Sequence, residues 1–178
     1  FSFELFDFQI RNIGFAGEVI GEAAAGILAN PSFNFDVIEN SFNSGKITGN
    51  SDTGGVIAKG FKTEIFDSYN TGEISSNVNS DMKGCGGIVG HLVSNNGPSS
   101  AIVENNYNTG NIDSTQTNAG GIIGTISSSV GYVSIVNNYN SATVSAESSL
   151  GGIIGSSSGS PTILSNYYLS GLIRQKLD

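Results

Sequence analysis

His91 is the single histidine of this 178-residue chain, and it directly follows the apolar run Gly86-Gly87-Ile88-Val89-Gly90. A histidine there becomes a general base only with a partner in hydrogen-bond reach, and nothing in the sequence nominates one. Gly155-Ser156-Ser157-Ser158-Gly159 has the form of a Gly-x-Ser-x-Gly nucleophile elbow. Such an elbow must lead from a strand into a helix, whereas this copy enters a Ser-rich stretch ending at Pro161. It is a coincidence of composition. Glycan cleavage would require two carboxylates at a fixed separation, or a carboxylate-bound metal with a basic residue. Glu39 and Glu104 share one repeat position, but Phe66 occupies that position between them. Asp52, Asp67, Asp81, Asp113 and Glu147 are scattered. Cys85 is the only cysteine, which excludes an internal disulfide framework and a Cys-based zinc site. Flanked by Gly84 and Gly86-Gly87, it is expected as a small buried or corner residue. The Gly-Gly-x-Gly-x-Asp nonapeptides of calcium-binding rolls are absent, and the Thr115-Gln116-Thr117 pair does not recur. No catalytic, cofactor-binding or metal-ligating residue is expected, and the chain reads as a non-enzyme.

Charge narrows the partners. Charged residues make up 12% of the chain, net charge is −8, and no Lys or Arg occurs from Gly84 to Ile173. Nucleic-acid binding needs a basic footprint and is excluded on that ground. Docking to anionic lipid is disfavoured for the same reason. The apolar runs are too short to span a bilayer, so no membrane insertion is expected within this chain. The nearest match to a glycosylation acceptor, Asn30-Pro31-Ser32, is spoiled by its proline. The chain opens at Phe1 with no basic n-region, as expected of a fragment or a processed segment.

What positions these side chains is a repeat. A Gly-Gly-aliphatic-aliphatic-Gly core occurs at Gly54–Ala58, Gly86–Gly90, Gly120–Gly124 and Gly151–Gly155, with a degenerate first copy at Ala25–Ala29. Its second glycine falls at Gly26, Gly55, Gly87, Gly121 and Gly152, at intervals of 29 to 34 residues. A companion motif begins at the aromatic residues Phe42, Tyr69, Tyr107 and Tyr139, each followed by an asparagine, Asn43, Asn70, Asn108 and Asn140. A looser copy starts at Tyr167, and Phe15–Val19 resembles a truncated one. Periods of this length mark stacked repeat architectures.

Composition decides between helix and strand. The apolar positions are Ile and Val set among Gly, Asn, Ser and Thr, which suit strands and turns. Three short strands per repeat are expected: the Gly-Gly-Ile-Ile segment, a second running from Ile38, Ile65, Val103, Ile135 or Ile163 into the aromatic, and a third at Gly-x-Ile. The fold expected is all-β, a parallel β-solenoid (β-helix) of about five to six turns, with aliphatic columns inside. Turns rising about 4.8 Å give a rod of roughly 25 Å. The equivalent asparagines are expected to hydrogen-bond from turn to turn; the alternative is that their row faces a ligand.

At these residues the chain resembles the GLUG repeat family, over about residues 24 to 173. The resemblance implies a β-helical segment of a secreted or cell-surface protein, usually a bacterial adhesin-like one, and it brings no catalytic residues. Where relatives often carry Cys-Tyr, this chain has Ser-Phe, Ser-Tyr or Asn-Tyr.

The expected organisation is an N-terminal cap or inter-subunit strand plus an incomplete first turn over 1–23, five repeats over 24–173, and a tail over 174–178. Phe1, Phe3, Leu5, Phe6, Phe8 and Ile10 make the first segment unusually apolar, a candidate assembly strand. Residues 76–84, 94–101, 127–134 and 156–162 are the longest polar connections, with Tyr132 the candidate exposed aromatic. The leading functional expectation is a non-catalytic extracellular module serving adhesion or a rigid stalk. Its partners would be other proteins or surface glycans. The alternative is a filament subunit joined to its own copies end to end; a glycan-binding or glycan-cleaving β-helix ranks third.

Overall fold

Thirty-odd residues of sequence separation become one step of vertical stacking. Ile65 lies beside Ile38 and Val103, Asn70 beside Asn43 and Asn108, and Ile74 beside Ile47 and Ile112, always in parallel strands. The computed structural model describes residues 9–29, 36–77, 83–94, 100–115, 118–128 and 132–176. Over these the protein is all-β, a parallel β-solenoid of about five turns. Its one helical piece among the described residues is the 3₁₀ turn Ser170–Leu172.

The three strands expected per turn are present, and two of them are bent. In the central winding the second expected strand runs as Glu64–Phe66, then Tyr69–Asn70 after a corner. The third is Ile74–Ser76. The core motif runs as Cys85–Gly86 and then Val89–Ser94. Stacking these five segments yields five sheets, numbered here first to fifth in the order the chain visits them from Glu64.

The first bend has a local cause. Asp67 has φ of 49°, and its equivalents Asn12, Asn40, Asn105, Asn137 and Ser165 have φ between 51° and 59°. Most L residues avoid this left-handed region, while Asn and Asp tolerate it better. A single such residue reverses the pleat and turns the chain from the first sheet into the second. The next residue then satisfies the corner. Asn106 accepts at Oδ1 from the Ser68 N–H (2.9 Å), and its Nδ2 donates to the carbonyls of Ile65 (3.0 Å) and Glu104 (2.9 Å). Asn138 repeats the pattern one turn later.

Inside, aliphatic side chains stack in columns. Ile38, Ile65, Val103 and Ile135 of the first sheet face Ile57, Val89, Ile123 and Ile126 of the fifth in one apolar body. Ile47, Ile74, Ile112 and Val144 of the third sheet form a second body with Ala24, Cys85 and Ala119 of the fourth. Burying each such aliphatic contributes about 1.5–3 kcal/mol. No single winding could bury them, because each supplies only one layer of either column.

The two ends refine the expected boundaries. Ile10 pairs with Ile38, so Gln9–Arg11 is the first strand of an incomplete first winding that reaches Leu28. Phe1, Phe3, Leu5, Phe6 and Phe8 lie outside the described residues. Phe15 stands beside Asn43, not beside the aromatic Phe42, whose partner is Gly14. The register is fixed downstream, where Val19 pairs with Ile47 and the Lys46 N–H donates to the Gly17 carbonyl (2.8 Å). At the other end Arg174 and Gln175 belong to the strand Ile173–Gln175, which pairs with Val144–Ala146. The ordered stack thus runs past residue 173.

Candidate functional site

The asparagine row lies inside the solenoid, each member fully buried. Asn43 donates to Asn70 (2.7 Å), Asn70 to Asn108 (2.7 Å) and Asn108 to Asn140 (2.9 Å). Each Nδ2 also donates to the carbonyl two residues on, for Asn108 that of Gly110 at 3.0 Å. Each Oδ1 accepts the N–H of that same residue, at 3.2 Å for Gly110. Asn108 therefore uses both amide hydrogens and two lone pairs, with nothing left for a ligand. The row is a ladder. Aromatic residues stand in the same column at either end, Phe15 beside Asn43 and Tyr168 beside Asn140.

Glycine makes room for that ladder. A β-carbon on Gly55 would sit 2.8 Å from Cβ of Asn70, and one on Gly26 would sit 3.0 Å from Cβ of Asn43. Gly87 and Gly121 meet Asn108 and Asn140 in the same way, and Gly152 meets the Tyr168 ring. The two sequence motifs thus form one device. A wall of asparagine and glycine pinches the interior between the two apolar bodies.

The preceding aromatics point outward. Phe42 and Tyr69 stack at 5.0 Å and Tyr69 and Tyr107 at 4.8 Å, both with 5° between ring planes. Tyr107, Tyr139 and Tyr167 are exposed. Rings stacked along the axis cover each other's faces and turn their edges to solvent. Partial desolvation against the stacked ring, with the charge of Tyr69 adding to it, raises the Tyr107 phenol above its ordinary pKa.

His91 is the place where the structure adds chemistry that the sequence concealed. It lies on the fifth sheet between Lys59 and Thr125 and is 5% exposed. Its Nε2 is 2.8 Å from Oγ of Ser127, on the next winding. Its Nδ1 faces Oδ2 of Asp52, on the preceding winding, at 3.5 Å. That exceeds an ordinary hydrogen bond, so Asp52 lies within ion-pair distance of a buried Nδ1 that makes no hydrogen bond. Asp52 is 1% exposed, accepts the Gly84 N–H at 3.1 Å, and lies 3.8 Å from Nζ of Lys83. The Lys83 carbonyl in turn accepts from Asn118 (2.8 Å) and Thr125 (3.1 Å). Ser127 is half-buried. A surface groove of about 340 Å³ lies beside Asp52, Lys59 and Lys83.

Ser127 and Asp52 went unnominated because they lie far from His91 in the chain and at non-equivalent repeat positions. Neither spacing nor motif marks them. Among the other expected positions, Phe66 separates Glu39 from Glu104 in the first sheet, and Glu39 pairs with Arg11 at 3.0 Å. Ser156–Ser158 continue the strand Ile154–Ser158 and form no elbow. Cys85 is fully buried, and burial, reinforced by Asp113, pushes its thiol far above the ordinary range. Tyr132 is 62% exposed. Within the polar connections, residues 78–82, 95–99 and 129–131 lie outside the described residues.

Comparisons of the chain with protein-family models, with curated proteins and with solved structures find no match.

Proposed function

We propose that this chain is a repeat module of a secreted or cell-surface protein and that it acts through shape, as an adhesive or stalk element. The observation that carries the reading is the interior ladder from Asn43 to Asn140, whose polar atoms are spent on holding successive windings in register. A rod locked in this way is stiff, presents few openings to proteases and sets its outer side chains at a regular rise. The repeat positions do no chemistry. The resemblance of the two motifs to GLUG repeats supports the extracellular setting.

An antibody to this chain, applied to intact cells and to culture supernatant of the source organism, tests the reading. Signal on the outer surface or in the medium is expected. Signal only after lysis would overturn it.

One observation favours end-to-end self-assembly as a second reading: residues 1–10 hold Phe1, Phe3, Leu5, Phe6, Phe8 and Ile10, an apolar segment suited to strand addition. Electron microscopy of concentrated protein, with and without residues 1–10, separates the two: filaments that depend on the segment favour assembly, isolated short rods from both eliminate it.

A further inference from the structure

Most polar contacts inside this solenoid repeat from turn to turn; the contacts of His91 do not. On the fifth sheet its neighbours are Lys59 below and Thr125 above, and the residues level with Ser127 are Val93 and Ser158. Only in this register do a carboxylate, an imidazole and a hydroxyl fall in line across three windings. Nε2 meets Ser127 Oγ at 2.8 Å, and Nδ1 faces the Asp52 carboxylate at 3.5 Å. Burial is graded the same way, with Asp52 and His91 buried and Ser127 partly open to solvent. A nucleophile at the surface, a base behind it and an anion behind the base is the order that activates a serine.

The geometry points to Ser127 as a site of covalent acylation by activated carboxylic esters, with His91 as general base and Asp52 as the carboxylate that faces its Nδ1. In the step, Ser127 Oγ forms a bond to the acyl carbon and the bond from that carbon to the leaving alcohol breaks. The hydroxyl proton passes to Nε2 of His91 and from there to the departing oxygen. Asp52 stabilises the imidazolium between those two transfers, and Lys83 with the Gly84 N–H holds the carboxylate in place. Asp52 faces the ring, Lys83 lies against the same carboxylate oxygen, Lys59 is the register partner of His91, and Glu22 lines the groove beside Asp52. This goes beyond the scaffold reading and stands independently of it, since a stalk needs no reactive serine.

The probes are p-nitrophenyl acetate, read as a burst of phenolate, and an alkyl fluorophosphonate, read by peptide mapping. The folded protein is expected to release about one equivalent in the burst and to carry a single adduct on Ser127. Ser127→Ala removes both; it also takes the partner from the buried Nε2 of His91, so its thermal midpoint falls, and a cooperative transition shows that the variant is folded. His91→Asn slows labelling about 100-fold or more. Asp52→Asn slows it, and Asp52→Glu, which keeps the carboxylate, recovers part of the lost rate. The parent unfolded in urea serves as a reference that needs no variant, and its serines should label slowly and without preference. Absence of an adduct on folded protein, adducts spread over several serines, or equal rates in the folded and unfolded parent would overturn the assignment.

Discussion

Gly87 lies against the side chain of Asn108 in the following winding, so close that a β-carbon on the glycine would stand 2.5 Å from Cγ of the amide. The core motif and the companion motif are two halves of this contact. It explains why one motif ends its corner in glycine and the other follows its aromatic with asparagine. It also sets the distance across the pinch between the two apolar bodies.

Gly87→Ala should therefore be costly. The added methyl also meets the Gly121 backbone carbonyl, which cannot move without breaking the register above it. Overpacking of this kind costs about 1–3 kcal/mol. The same change at Gly171, where nothing lies within 4 Å, should stay within about 0.5 kcal/mol. Urea unfolding of both variants checks the contrast.

Asn108→Ala deletes an amide with four bonds, leaving one amide hydrogen of Asn70, one lone pair of Asn140 and the Gly110 N–H without the partners they have in the parent. Each unsatisfied buried group costs about 1–3 kcal/mol, so a loss of about 3–5 kcal/mol is expected. Ser44→Ala, whose exposed hydroxyl makes one bond to the Phe15 carbonyl, should cost about 1 kcal/mol or less. Denaturant midpoints of the two variants are the readout.

The corner residue Asn137 has φ of 55°. Replacement by Gly, which accepts that conformation, should leave stability within about 0.5 kcal/mol. Replacement by Val, which is β-branched, should cost about 1–3 kcal/mol. Thermal midpoints in matched buffers distinguish them, and equal losses would contradict the corner assignment.

Cys85 supplies a pH-dependent prediction. Burial holds its thiol protonated in the folded state far above the pH at which a free thiol ionises. A raised acid pKa means the stability is fully present below the ordinary thiol range and is lost progressively as pH rises above it, because only the unfolded chain ionises. The midpoint should therefore fall more steeply between pH 8 and pH 10 (about the thiol range) in the parent than in Cys85→Ala. Alanine fits there, as Ala119 does one winding on. At pH 8 an aromatic disulfide reagent should leave the folded thiol untouched and react on unfolding.

The repeat made the architecture legible because stacking equivalent positions is what a period near thirty residues means physically. Spacing alone puts Ile38, Ile65 and Val103 in one column and Asn43 to Asn140 in one row, and the strand pairing agrees. The bends were harder to read. A left-handed residue such as Asn105 looks in sequence like any other polar residue before an aromatic. Its recurrence as Asn or Asp two places ahead of Phe42, Tyr69, Tyr107 and Tyr139 was the available signal. Phe15 misled for a different reason. An aromatic followed by Gly-Glu-Val matches the companion motif with one deletion, and only the pairing of Val19 with Ile47 shows which column it joins. The His91 contacts lay beyond reach altogether, since periodicity predicts contacts between equivalent positions and these three residues are not equivalent.

Everything rests on parallel, in-register stacking, and paired cysteines test it most directly. Thr48 and Ser75 are register partners on adjacent strands, while Asp113 lies one further winding on. Disulfides form when Cα atoms are about 4.4–6.8 Å apart and not beyond about 7 Å. Thr48→Cys with Ser75→Cys should close an intramolecular disulfide under mild oxidation, and Thr48→Cys with Asp113→Cys should remain reduced. Cross-linking of the second pair, with none of the first, would contradict the solenoid.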